Sequence, residues 1–510
     1  MPSLEEYAAK RAALMKTDRG FRIDHAKSAS ESATEIEADR IIRQIREIEA
    51  KSIWSAEHDN IPHPFPGMEF LTGKTPTRHV TVNASTLLKL ALQQSAIHIR
   101  VPTPVSIGVP LSAIVPDFSV QHHDFHAEFL SLCDVSYVPN AWVSLRKARE
   151  MFSPTLGGPD GFEQWIIGAL SINATEAYLT HNTNAKIWKK FTDAIALSSV
   201  LLKFTLPPMK LVYYAPIWSA YIRQFLVDNI ADGVSYIELF IRYMFGADGR
   251  EDVPHRDWLV AFDQDLHDEG RDDDFFGAKI IYTAIKTVEP AGLDWYLEDC
   301  IALKQEFPYL VAGFDLVGDE NLLRPLIDYL EPFLRFEERK KELGLDIPFI
   351  FHAGETCGDG TVADNNLYDA ILLGTKRIGH GFSLVKHPSL LQICREKGIL
   401  VEVCPISYEI LRLTSSMPMH PLPVLVNNGI PVALSSDDPA VFGNMGLTYD
   451  FFQVLVASEI TGLIMLGHFA RDSITYSTLN DTEKSLVMGA WEKRWAKFVK
   501  EIVEFSEDLQ

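Results

Sequence analysis

The stretch IPFIFHAGETCGDG, residues 347–360, decides how this chain is read. An apolar run from Ile347 to Phe351 stops abruptly at His352, and Glu355 follows three residues later. A short apolar run with no polar alternation is a strand buried on both faces, and such strands belong to parallel sheets covered by helices. A histidine and a carboxylate at its C-terminal end are then placed where a parallel sheet opens to solvent.

The pattern repeats on either side. The runs are VSYIELFI (234–241), FGAKIIYTAI (276–285), YLVAGFDLVGDE (309–320), IPFIFHAGE (347–355), KRIGHGFSL (376–384), GILVEVCPIS (398–407) and IPVALSSDDP (430–439). Helical segments such as LLRPLIDYLEPFLRFEERKKELG and HPSLLQICREKG lie between them. Strands alternating with helices predict an α/β fold with a parallel sheet. Seven such units predict a (β/α)8 barrel of the TIM type with one strand unaccounted for.

Upstream, residues 1–80 read as an N-terminal helical arm followed by a loop rich in Pro, Gly and Thr. In SATEIEADRIIRQIREIEA, Ile36, Ile41, Ile42, Ile45 and Ile48 fall near helical spacing. This helix either packs on its own domain or serves as a dimerisation arm. Residues 81–510 read as the barrel, with a mostly helical insertion over about 95–232.

The formal charge is −22, from 47 basic and 69 acidic side chains. So acidic a surface argues against nucleic acid and anionic membrane as partners. The N-terminal MPSLEEYAAKRAALMKTDRG has no apolar core of a secretory signal, which points to the cytoplasm. The longest apolar region, AIALSSVLLKFTLPPMKLVYYAPI, is interrupted by lysines and prolines and does not suit a bilayer. Five cysteines without a C-x-x-C suit free thiols in a reducing compartment.

The runs end in Gly318-Asp319-Glu320, in His352 with Glu355, in His380, and in Asp437-Asp438. In a barrel these ends meet at one face. The residue types support hydrolysis by metal-activated water. His352 and Asp437 are suitable zinc ligands. Glu355 and His380 remain to move protons, and Asp438 to orient substrate or water. Cys404 reads as core packing and Glu238 as a polar residue of the barrel.

HAGE, RIGHG, VCPIS and SSDDP, in this order and after FDLVGDE, resemble the adenosine deaminases. Longer stretches, among them VAGFDLVGDEN and SSDDPAVFGNMGLTYDFFQV, look like the adenosine deaminase-related growth factor branch in a fungal-type version. The resemblance runs from about residue 35 to the C-terminus. It implies a barrel of the metal-dependent amidohydrolase kind and one Zn2+ per chain, with His352 and Asp437 as ligands. It also implies that Glu355 protonates purine N1, that His380 acts on the attacking water, and that Asp438 holds the N7 side. Gly318 would approach N3 through its backbone N–H, and Trp188 in IWKKF would line the substrate. The implied reaction is adenosine, or 2′-deoxyadenosine, to inosine and ammonia. The implied partners are a small-molecule purine nucleoside and a second copy in a homodimer, and the growth-factor branch implies an extracellular location as the alternative.

One part of the family pattern is not here. Its first barrel strand ends in His-x-His-x-Asp, with both histidines on the zinc, and this chain has no His-x-His. At the expected place stands GKTPTRHVTVNASTLLKLA, which passes directly to the segment after the motif. Either a coding segment for strand one has been skipped, or this is a variant whose first strand is missing or remodelled. His352 and Asp437 alone would hold zinc weakly. His79, or His122, His123 and His126, would be the substitutes. The competing expectation is therefore a catalytically impaired nucleoside-binding homologue. A further one is hydrolysis of another aminopurine, because Gly318 and Asp438 fit any purine; Ile285, where some relatives place a polar residue, leaves specificity at the ribose open.

Overall fold

The computed structural model describes residues 3–20, 31–52, 98–100, 149–172, 177, 179–199, 215–241, 254–269, 275–439, 441–442, 446–458 and 461–508. Eight strands run in parallel: β1 His98–Arg100, β2 Ile237–Ile241, β3 Ala278–Ile285, β4 Val311–Val317, β5 Ile350–Ala353, β6 Arg377–His380, β7 Leu400–Val403 and β8 Val432–Leu434. Each of the seven runs read from the sequence contains one of β2 to β8. They form two four-stranded sheets in sequential order, β1 to β4 and β5 to β8. A parallel bridge between Phe314 and Phe349 joins the two sheets. Helices Pro290–Glu306, Leu330–Leu343, Val362–Leu372 and Pro388–Lys397 each follow a strand and return the chain for the next. This is the alternation of a (β/α)8 barrel.

The position beside β2 corrects two expectations. β1 pairs with β2, His98 opposite Ile237 and Arg100 opposite Leu239. Residues 98–100 therefore form a strand within a stretch read as helical, and the strand that was unaccounted for has an occupant. It spans three residues of AIHIR, a stretch with a single histidine. Among the described residues, no ladder closes β1 onto β8.

The strands are mostly apolar because both faces are covered; β5, β6, β7 and β8 are buried at every residue. The outer face packs on the helices through aromatic layers, with Phe314 against Phe333 and Phe336, and Phe349 stacked on Phe351 at 4.6 Å. Side chains alternate across a strand, so Glu238, Arg377 and Glu402 point the other way, into the barrel. The Arg377 guanidinium lies 2.6 Å from Glu238 and 2.6 Å from Glu402. Its Nη1 also donates to the Tyr476 carbonyl. Glu238 further accepts from Tyr236 Oη and from the backbone and hydroxyl of Thr478. One cation thus ties β2, β6 and β7 together.

Helix Ala33–Ser52 packs on the helices that end the chain. Ala38, Ile41 and Ile42 are buried, whereas Ile36 and Ile48 are exposed. Arg46 Nη1 donates to the carbonyls of Leu455, Ser458 and Thr461. Trp495 Nε1 donates to Glu35 at 2.8 Å. The apolar face of this helix is covered by its own barrel. Helix Leu4–Gly20 is exposed along the part described. Among the described residues no helix is long and apolar enough to cross a membrane.

Replacing Arg377 with leucine strands two carboxylates in the barrel. Removing one partner of a buried ion pair costs about 3–5 kcal/mol. Arg377→Leu is expected to lower the unfolding free energy by that amount in urea titration, and Glu238→Gln by less, because Arg377 keeps Glu402.

Candidate functional site

β5 and β6 set the site by register. His352 lies opposite Gly379, and Ala353 opposite His380. A Cβ at position 379 would come within 3.0 Å of His352 Nδ1, so the glycine of RIGHG lets the imidazole lie across β6. The His352 and His380 rings meet edge to face at 4.9 Å, and Phe240 of β2 abuts His352 at 5.1 Å.

His352 is held by a carboxylate in the neighbouring strand. Asp315 of β4 accepts from the His352 backbone N–H at 3.0 Å and faces Nδ1 at 2.5 Å. Burial alone lowers the basicity of His352, but the charge and hydrogen bond of Asp315 outweigh it and leave the pKa raised. With Nδ1 committed to Asp315, Nε2 is the nitrogen left for a ligand.

The HAGE turn is built on a second buried carboxylate. Glu320 accepts from the backbone N–H of Gly354 at 3.2 Å and of Glu355 at 3.0 Å, and from Asn366 Nδ2 at 2.6 Å. The fully buried Lys286 lies 3.7 Å from Glu320 and donates to the His352 carbonyl at 3.1 Å. Glu355 is thereby fixed with its carboxyl Oε2 3.6 Å from His380 Nε2. Burial pushes the Glu355 pKa well up, and Asp437, Glu320 and Asp319 push it further. Burial drives the His380 pKa well down, reinforced by His352 and Lys286. Burial thus favours the neutral form of both members of this pair.

His380 and Asp437 both have left-handed backbone, with φ of 68° and 54°. Non-glycine residues held there are strained, and such residues cluster at functional sites. Tyr408 Oη secures the His380 turn by donating to its carbonyl at 2.8 Å, and Tyr408 stacks on His420 at 5.1 Å. Ser407 Oγ donates to Asp437 at 2.7 Å, yet burial keeps the Asp437 pKa raised.

Of the residues read from the sequence, His352, His380, Glu355 and Asp437 are brought together by ring contact, by the 3.6 Å approach and by mutual electrostatic influence. Asp438 lies next to Asp437, and its carbonyl accepts from Phe442 N–H. Trp188 stands one layer out. It packs against Phe191, which stacks on Phe442 in the loop after β8. Gly318 has φ of 119°, where a side chain would be strained, and a Cβ there would crowd Leu323 at 2.6 Å. Ile285 lies beside it, 3.5 Å from where that Cβ would be. His79, His122, His123 and His126 lie outside the described residues.

Asp315 and Lys286 escaped the sequence reading, and Glu320 was marked only as the polar end of a run. Their signal was a single charge inside or ending an apolar strand, which has to be paired when buried. Glu238 proved to be an ion-pair partner at the opposite end of the barrel from the histidines.

The donors at this face fit a divalent first-row cation. A histidine with one nitrogen fixed by a carboxylate, a second whose buried Nδ1 has no partner among the described residues, a carboxylate and a thiol are ligand types that zinc accepts.

Fold and site together define a (β/α)8 barrel of the amidohydrolase type, with titratable groups gathered at the strand C-termini. The chain belongs to the adenosine deaminase family, whose model, described as Adenosine deaminase, matches residues 182–491. An adenosine deaminase of Lutzomyia longipalpis is 36% identical over 67% of this chain and 65% of its own length. Adenosine deaminase 2 of Sus scrofa is 35% identical over 71% of this chain and 68% of its own. The chain thus spans about two thirds of the length of these relatives. An amidohydrolase of Burkholderia ambifaria solved with bound Zn shares the fold, with a TM-score of 0.54 at 17% identity over 82% of this chain and 95% of that one. The family match begins beyond GKTPTRHVTVNASTLLKLA, so membership is carried by the residues downstream of it.

Glu409, in the helix Pro405–Ile410 after β7, supplies a pH test of the packing around this face. It is buried, accepts from Gln453 Nε2 at 3.0 Å, and burial pushes its pKa up to about 8. An unfolded glutamate titrates near 4.3, so the native state binds the extra proton between about 4.3 and 8, and stability falls as pH rises through that window. Glu409→Gln removes this term. Its unfolding free energy is expected to decline less than the wild type's, by up to about 1.4 kcal/mol per pH unit, in urea titrations between about pH 5 and pH 8.

Proposed function

We propose that this chain catalyses the hydrolytic deamination of adenosine to inosine and ammonia, with 2′-deoxyadenosine as a second substrate. The observation that carries the reading is the 3.6 Å approach of the buried Glu355 carboxyl to the buried His380 imidazole, where burial pushes the pKa of Glu355 up and that of His380 down. A neutral acid and a neutral base side by side can give one proton and accept another in the same step.

In this reading His352 and Asp437 hold Zn2+ at the mouth of the barrel. When bound, the ion supplies a Lewis acid that makes water nucleophilic near neutral pH. Asp315 keeps His352 in the tautomer that presents Nε2. Glu355 gives its proton to purine N1 as the water oxygen bonds to C6. His380 takes a proton from that water and passes it to the departing amine, which leaves as ammonia while the remaining hydroxyl proton returns to Glu355 and the C6 carbonyl forms. Asp438 orients the N7 side, the Gly318 N–H meets N3, and Trp188 closes the substrate side. Glu320 and Lys286 touch no reacting atom; they hold the turn that aims Glu355.

A second reading is favoured by β1, which offers one histidine where the family's first strand supplies two. There the chain binds a purine nucleoside without turning it over.

The test is loss of adenosine absorbance with the purified full chain and added zinc. Glu355→Gln is expected to reduce turnover by about 10²–10⁴-fold, the contribution of a general acid. A wild-type chain that binds inosine in calorimetry but gives no turnover would support the second reading. Activity gained on inserting a His-x-His-x-Asp strand before Thr81 would then assign the loss to the first strand.

A further inference from the structure

The short helix Pro405–Ile410 after β7 reaches two residues of the barrel mouth with adjacent side chains. Ser407 Oγ donates to Asp437 at 2.7 Å, and Tyr408 Oη donates to the His380 carbonyl at 2.8 Å. The helix is itself keyed to a second one, Thr448–Ala457. Asp450 Oδ1 accepts from the Ile406 N–H at 3.1 Å, and Gln453 Nε2 donates to Glu409 at 3.0 Å. Residues three apart on a helix share a face, so one side of Thr448–Ala457 holds the helix that carries Tyr408 before and after that residue.

The Tyr408 ring is buried and clamped. It stacks on His420 with centroids 5.1 Å and planes 19° apart, and Phe382 meets it edge-on at 5.3 Å and 89°. His420 Nδ1 accepts from the Leu422 N–H at 2.9 Å, which leaves the ring proton on Nε2. Burial drives the His420 pKa down to about 3, so this ring is an uncharged plate for the tyrosine. A fixed ring fixes its hydroxyl. What that hydroxyl takes is the carbonyl between two left-handed residues, His380 with φ of 68° and Gly381 with φ of 53°. A histidine persists in that conformation only where its surroundings hold it. Relaxing its φ to the ordinary negative range rotates the Cα–Cβ bond and swings the imidazole away from Glu355 Oε2, 3.6 Å off.

We propose that Tyr408, seated between His420 and Phe382, is a positioning residue of the deamination, which touches no reacting atom and acts by holding the turn that aims the His380 imidazole. The inference rests on the role given to His380 in the proposed function and adds the residue that fixes its aim. Substrate binding does not pass through this contact, so its loss falls on turnover.

The experiment uses Tyr408→Phe in the full chain with added zinc, a change that keeps the stacked ring and removes one oxygen. The expected kcat for adenosine is about three- to tenfold lower, the effect of one hydrogen bond, with KM within about twofold of wild type. In a His380→Ala background the same change is expected to cause no further loss, because Tyr408 acts only through His380. Tyr368→Phe, which loses a hydroxyl bonded to His387 on the outer helices, is expected to leave kcat unchanged. Amide hydrogen exchange gives a readout independent of turnover: residues 377–384 are expected to exchange faster in Tyr408→Phe, and residues 400–403 as in wild type. Should Tyr408→Phe fail to fold, His420→Asn keeps an acceptor for the Leu422 N–H, removes the plate, and is expected to show the same fall in kcat at unchanged KM. A kcat equal to wild type, or a loss that multiplies onto that of His380→Ala, overturns the positioning role and leaves the deamination in place. A wild-type chain without turnover overturns the deamination; the hold on the His380 turn is then decided by exchange, and unchanged protection over 377–384 overturns it.

Discussion

The Arg377 guanidinium, 1% exposed and held between Glu238 and Glu402, is the interaction on which the barrel turns. Burial opposes its charge, but the two carboxylates more than offset that and raise its pKa. The carboxylates respond differently. Burial raises both, and at Glu238 Arg377 and Thr478 outweigh it, whereas at Glu402 burial prevails. Such a triad does not add much stability over an apolar filling, but it fixes which strands face one another. Because Arg377 begins β6, fixing it also fixes the register that brings Gly379 under His352 and His380 to the opposite end of the same strand.

At that opposite end the structure controls protons by neighbours rather than by exposure. Asp315 gives His352 its tautomer, Glu320 holds the backbone of Glu355, and burial, helped by acidic neighbours, pushes the Glu355 pKa up. Burial likewise pushes the His380 pKa down. Two groups only 3.6 Å apart, each with its pKa displaced away from ionisation, form an acid and base pair in the sense general acid–base catalysis requires. The left-handed backbone at His380 and Asp437 is strain that the rest of this face sustains through Tyr408 and Ser407.

The first strand lacks the His-x-His-x-Asp ending that the family resemblance implies. β1 provides the parallel partner that β2 needs, and an unpaired parallel edge is a liability. It satisfies the backbone with three residues and brings no His-x-His. The pairing demand of the sheet and the ligand demand of a metal are separable. A short strand meets the first by hydrogen bonding alone, while the second depends on particular side chains.

The apolar runs by themselves determined the parallel α/β barrel, because strands covered on both faces leave no polar alternation, and each of β2 to β8 falls inside a run read from the sequence. The polar endings of those runs likewise marked His352, Glu355, His380 and Asp437 as one site, since strand ends in a barrel converge. What the sequence left open was decided by contacts between residues far apart in the chain. Asp315 meets His352 across 37 positions, Glu238 meets Arg377 across β2 and β6, and Cys404 comes within reach of His380 and Asp437. Helix Ala33–Ser52, which periodicity marks only as amphipathic, has its partner chosen by Arg46 and Trp495 on elements at the other end of the chain. Periodicity reports which side of an element is buried; only the assembled barrel fixes what lies against it, and pairing, tautomer and pKa follow from that neighbour.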